Sequence, residues 1–91
     1  MNIDIDNALA DTRERLPQLI LRATYTREAN TPENEPCWLV TFSGTDKQRL
    51  NMEIIIRDEA IVMSVLKRYL YNGEQVAKIM DVFMELLNIV P

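Results

Sequence analysis

The sequence predicts an α+β domain: a three-stranded antiparallel meander sheet with α-β-β-β-α-α order, and a C-terminal helical hairpin packed on one sheet face. Three observations carry this. Apolar residues alternate with a period of two in three successive stretches between residues 18 and 57. Before and after that region the spacing shifts to three and four. At 91 residues the chain has room for one domain, covering 1–91.

The first helix is expected over 4–16. Ile5, Ala8, Leu9 and Leu16 fall at helical spacing, Asp4 or Asp6 caps the start, and Pro17 disfavours helix at Leu16. A strand over 18–27 follows, with Leu19, Leu21, Ala23 and Tyr25 on one face and Ile20, Arg22, Thr24 and Thr26 on the other. Residues 28–36, acidic and carrying Pro32 and Pro36, read as an exposed, mobile connection. Strands are expected at Cys37–Ser43, with Trp38, Val40 and Phe42 on one face, and at Arg49–Arg57, with Leu50, Met52, Ile54 and Ile56 on one face. Gly44-Thr45-Asp46-Lys47 turns the chain between them. Asp58 then reads as the cap of a helix running to about 71, because Ile61, Val62, Val65, Leu66, Tyr69 and Leu70 keep helical spacing. Asn72-Gly73 breaks it, and a last helix spans 74 to about 90.

Composition removes several function classes. There is no histidine and one cysteine, Cys37, so a Cys/His zinc site, a histidine-based triad and an internal disulfide are all excluded. No cofactor or metal is expected. The acidic N-terminal residues and the lack of a long apolar run argue against a leader or a membrane span, which places the chain in the cytoplasm. Gly44 and Gly73 are the only glycines, too few for a phosphate-cradling loop. Glu53 and Glu85 are the acids set among apolar neighbours, with no visible pairing for acid–base work. The chain is therefore expected not to be an enzyme. Cys37 reads as a structural thiol, and Tyr25, Trp38 and Phe42 as core rather than a stacking platform.

The last helix carries a surplus of apolar surface. Glu74, Lys78, Asp81, Glu85 and Asn88 form one polar stripe, and apolar residues fill about 240° of the circumference at ~100° per residue. A surface helix needs an apolar arc of only about 100° or somewhat more. Either this helix is sandwiched centrally, or it is covered by a second copy or a foreign partner. The reading adopted is a small protein-binding regulator or adaptor that forms a homodimer through its C-terminal helices. The interface residues are Ile79, Val82, Met84, Leu86 and Ile89, with Met63 on the preceding helix.

A second recognition surface is expected on the other sheet face, where Arg22, Glu53 and Arg57 stand beside Leu39 and Ile55. The alternative function is nucleic-acid binding through that face, using Arg22, Arg49 and Arg57. It is not favoured at a formal charge of −4, with 14 acidic and 10 basic residues. Arg13, Arg15, Lys47, Lys67 and Arg68 read as dispersed, solvated cations.

Ser43-Gly44-Thr45-Asp46, followed by Ile55-Ile56-Arg57, resembles a stretch of the small phage-encoded anti-CRISPR proteins that occlude Cas9. The likeness covers these few residues across a gap, and the acidic patch of such inhibitors is much weaker here. It implies an inhibitor encoded by a phage or mobile element, and no site residue is carried over.

Overall fold

The computed structural model describes residues 2–90 and is α+β, but its sheet has four strands. The elements are β1 (Asn2–Ile3), α1 (Ile5–Arg15), β2 (Arg22–Arg27), β3 (Cys37–Ser43), β4 (Arg49–Arg57), β5 (Ala60–Tyr69), α2 (Gly73–Leu86) and β6 (Ile89–Val90). Strands β2-β3-β4-β5 pair in that order, all antiparallel, while β1 and β6 form a two-residue ribbon that ties the two ends of the chain together.

Helix α1 starts where expected, with the Asp4 side chain accepting from the Asn7 backbone N–H. Ile5, Ala8, Leu9 and Thr12 turn inward, and the Thr12 hydroxyl donates to the Ala8 carbonyl at 2.6 Å instead of standing unpaired in the core. After Pro17 the backbone turns instead of extending: the N–H groups of Leu19 and Ile20 both donate to the Leu16 carbonyl, at 3.0 and 2.9 Å. The strand expected from residue 18 therefore begins only at Arg22. This turn buries Ile20 and exposes Leu21, opposite to the alternation assigned to them.

The expected helix over 58–71 is instead β5, closing a hairpin with β4. Asp58 and Glu59 both have positive φ, 52° and 64°, and link the paired residues Arg57 and Ala60. Two left-handed residues in a two-residue loop match the right-handed twist of the strands they join. Asn72-Gly73 is likewise not a helix end but a helix start. The Asn72 side chain accepts from Gln75 N at 2.8 Å while Gln75 Oε1 accepts from Asn72 N at 3.0 Å, a reciprocal cap. The C-terminal hairpin of helices thus reduces to one helix, α2, and the α-β-β-β-α-α order does not hold.

The core lies between one sheet face and the two helices. Trp38, Val40, Phe42, Leu50, Met52, Ile54 and Ile56 from the sheet meet Leu9, Ile79 and Phe83 from the helices. Phe42 and Phe83 pack edge to face, 5.2 Å between ring centroids. Tyr25, Trp38 and Phe42 do share the core side, and Tyr25, half-buried, packs against that core. No helix among the described residues is long and apolar enough to cross a membrane.

Candidate functional site

The face of the sheet turned away from the helices differs at its two ends. Strand register stacks it in rows: Arg22, Ser43, Arg49 and Tyr69; then Thr24, Thr41, Asn51 and Lys67; then Thr26, Leu39, Glu53 and Ser64; then Cys37, Ile55 and Val62. At the Cys37 end the face is closed. Cys37 and Ile55 are buried, and the connection 28–36 folds back there. Arg57 donates from Nη2 to Glu35 Oε1 at 3.1 Å and from Nε to Oε2, and the Thr31 hydroxyl bonds Glu35 as well. The paired guanidinium holds the Glu35 carboxyl below its usual range. Asn30 and Asn34 bond across the loop, and Arg27 donates to Asn30 while lying 4.7 Å over the Trp38 ring. The segment read as mobile is therefore a fastened loop.

The opposite end carries cations instead of a cover. Arg22, Lys47, Arg49, Lys67 and Arg68, five of the ten basic residues, are all exposed: Lys47, Arg49 and Lys67 gather where β4 begins and β5 ends, Arg68 stands beside them on the opposite face of β5, and Arg22 shares their row from β2 at the far edge of the sheet. Among the described residues the ion pairs are Arg15–Glu85 and Arg57–Glu35, so none of these five is paired. A hollow of about 240 Å³ lies between Lys47, Arg49, Lys67 and Tyr69. Gln48, in the β3–β4 turn, donates to the Leu70 carbonyl at 3.1 Å and holds that turn against the end of β5.

Apolar exposure concentrates in the same place. Val65, Leu66, Tyr69 and Leu70 are 42%, 56%, 50% and 57% exposed, four of the seven exposed large hydrophobic residues among those described. All four lie within six consecutive residues at the end of β5, an edge strand that, among the described residues, has no neighbour on its outer side, with Leu70 just past its last residue. A register shift opposite Asn51 and Met52 breaks the alternation of β5 here, which is why apolar and basic residues crowd together. A larger hollow of about 490 Å³, between α1 and the start of β2, offers one exposed large apolar residue, Leu21.

The residues predicted on the last helix lie elsewhere. Ile79 is fully buried, Val82, Leu86 and Ile89 are partly buried against the core, and Met63 packs beside them from β5. Only Met84, at 40%, stands clear. The surplus apolar arc is thus largely taken up by the chain's own sheet, by α1 and by the terminal ribbon. Of the second predicted surface, Arg22 and Leu39 lie on the outward sheet face, Glu53 is half-buried beside Cys37, and Ile55 and Arg57 belong to the closed end. Burial, followed by the Glu53 and Glu28 charges, pushes the Cys37 thiol up and away from the thiolate that a nucleophile needs. Among the described residues no group of three His, Cys, Asp or Glu is placed to hold a metal ion.

Sequence reasoning missed the β5 patch because a helix over 58–71 would separate Lys67 and Arg68 from Arg49. Val65, Leu66, Tyr69 and Leu70 keep helical spacing, so the apolar pattern of 65–70 carries no signal of an edge strand. No known family model matches the chain, and no curated protein or solved structure matches it.

Proposed function

We propose that this chain is a protein-binding module, an adaptor or regulator whose partner docks on the outer half of β5. The observation that carries this reading is the run Val65–Leu70, where apolar side chains stand exposed on either side of Lys67 and Arg68 at the edge of the sheet. A contiguous apolar patch with a polar rim marks an interaction surface. Tyr and Arg are the residue types that anchor such surfaces, because each buries a large area while keeping a polar group satisfied. Lys47, Arg49, Lys67 and Arg68, without an ion pair among the described residues, give the patch a sign opposite to that of the whole chain and so favour an acidic partner.

Nucleic acid is the second reading, supported by Arg22, Arg49 and Lys67 converging on one end of an open sheet. It is the weaker of the two. Single-strand binders stack bases on several aromatic rings, and Tyr69 is the one ring on this outward face, since Trp38 and Phe42 are buried in the core.

The test is capture from the native cell with tagged wild type, a Leu66→Asp/Tyr69→Asp variant and a Met84→Asp variant. Wild type and Met84→Asp are expected to retain a common partner that Leu66→Asp/Tyr69→Asp loses while keeping its fold by circular dichroism. Loss with Met84→Asp alone would return the interface to α2.

A further inference from the structure

Resting on that docking reading, we infer that the partner contributes an extended, acidic segment that adds to the sheet as a fifth strand beside β5. The sheet ends at β5, so alternate N–H and C=O groups of Ala60–Tyr69 face away from β4 with no strand to receive them. β5 is also the longest strand, ten residues against six for β2 at the opposite edge. An incoming strand satisfies that backbone row whatever its sequence, and side chains then select which strand is accepted.

Charge makes the selection. Lys67 lies opposite Asn51 and Tyr69 opposite Arg49, on the outward face, whereas Val65 and Arg68 lie opposite the core residues Met52 and Leu50. A docked strand therefore meets a cation on each face of β5 within two consecutive residues, with Val65, Leu66 and Tyr69 beside them. Carboxylates at adjacent positions of the incoming strand, flanked by apolar residues, match this arrangement, since opposite charges directly across strands attract and like charges repel.

The same residues bar a second copy. Two-fold antiparallel pairing of β5 with itself around residues 65–69 brings Lys67 and Arg68 of both chains together. Edge lysines and a register irregularity are devices that keep sheets from joining indiscriminately, and β5 carries both. What remains acceptable is a strand of opposite charge.

The experiment titrates the full chain with an acetylated nine-residue peptide in which Val-Val and Glu-Glu pairs alternate, so that carboxylates stand on both faces of the added strand. Its Lys-for-Glu counterpart and an oligothymidylate serve as the other arms, and amide hydrogen exchange is followed residue by residue. The acidic peptide is expected to slow exchange at the amides between Ser64 and Tyr69 that face away from β4, and to bind about tenfold more tightly than the basic one. Lys67→Glu/Arg68→Glu is expected to reverse that preference, which mere loss of fold cannot do. No binding, equal binding of both peptides, or protection away from β5 overturns the proposal. So does oligothymidylate protecting these amides in place of the peptide, or protection that rises with protein concentration alone. If the native partner is lost with Leu66→Asp/Tyr69→Asp but leaves β5 amides exchanging freely in its complex, strand addition fails while the docking surface stands.

Discussion

The two ends of the outward sheet face receive opposite treatment from the same chain. At one end a nine-residue connection folds back, Glu35 neutralises Arg57, and Cys37 and Ile55 disappear from solvent. At the other, Arg22, Arg49, Lys67 and Tyr69 on this face, with Lys47, Val65, Leu66, Arg68 and Leu70 around its edge, stay in water, and among the described residues none of these cations is ion-paired. Strand pairing does not account for this difference, because β4 runs through both ends and sends Arg49, Asn51, Glu53 and Ile55 to the same face. Closure depends on whether the chain spends a loop on it. An end left uncovered, and apolar as well as charged, is where an outside molecule fits.

The largest expected effect contrasts one substitution at each end. Ile55→Asp places an unpaired carboxylate in the closed end and is expected to cost about 3–5 kcal/mol, the penalty of an uncompensated buried charge. Leu66→Asp at the open end is expected to change stability by less than ~1 kcal/mol, since the side chain is already in water. Urea denaturation of both variants reads the difference. Equal losses would mean that Leu66 is covered within the folded chain, and the contrast between the ends would disappear.

Next in size is Gly44→Ala, which probes how rigidly the open end is held. A Cβ at this position would lie 2.8 Å from both the Leu19 carbonyl oxygen and the Tyr71 hydroxyl, which are themselves bonded at 2.6 Å. Neither the backbone oxygen nor the buried tyrosine has room to retreat. Overpacking of this kind costs about 1–3 kcal/mol. The chemical shifts of Lys47 and Arg49 are expected to move with it, because the turn that carries them is anchored here. Unchanged shifts at those residues would show the basic rim to be independent of the anchor.

How far this contrast was legible in the sequence depends on which residues decide each element. Helix α1 and strands β3 and β4 follow from spacing and appear with the expected limits, because each buries one clean face. Strand β5 does not follow. Val65, Leu66, Tyr69 and Leu70 mimic a helical stripe, yet they are the residues that no core takes up, so their spacing reports a surface and not a fold. The deciding residues are Asp58 and Glu59, whose left-handed conformations make the hairpin without glycine. Asn72-Gly73 misleads similarly, since asparagine serves at either end of a helix and only Gln75 three residues later distinguishes them. Once 58–71 is read as a helix, the candidate site cannot be assembled, because Lys67 and Arg68 leave the sheet. The fastening of residues 28–36 was equally hidden, resting on a pair 22 positions apart.

The smallest expected effect sharpens the closed end by pH. Glu35 is held below its ordinary carboxyl range chiefly by its bonds to Arg57, with further help from Thr31 and against the opposing effect of burial. A carboxyl whose folded value is depressed binds protons more readily in the unfolded chain, so stability rises with pH through that window. The contribution is complete above the unfolded glutamate value of about 4.3 and fades as pH falls through the lower, folded value. Glu35→Gln removes the charge and retains the shape. Its stability is expected to lie below that of wild type at neutral pH, with the two curves converging in acid. Amide exchange in residues 28–36 should converge with them, since the loop owes its attachment to this carboxylate. Parallel curves at every pH would show that the loop is held by Thr31 and the asparagine pair instead, and that neutralising Arg57 has no part in closing this end.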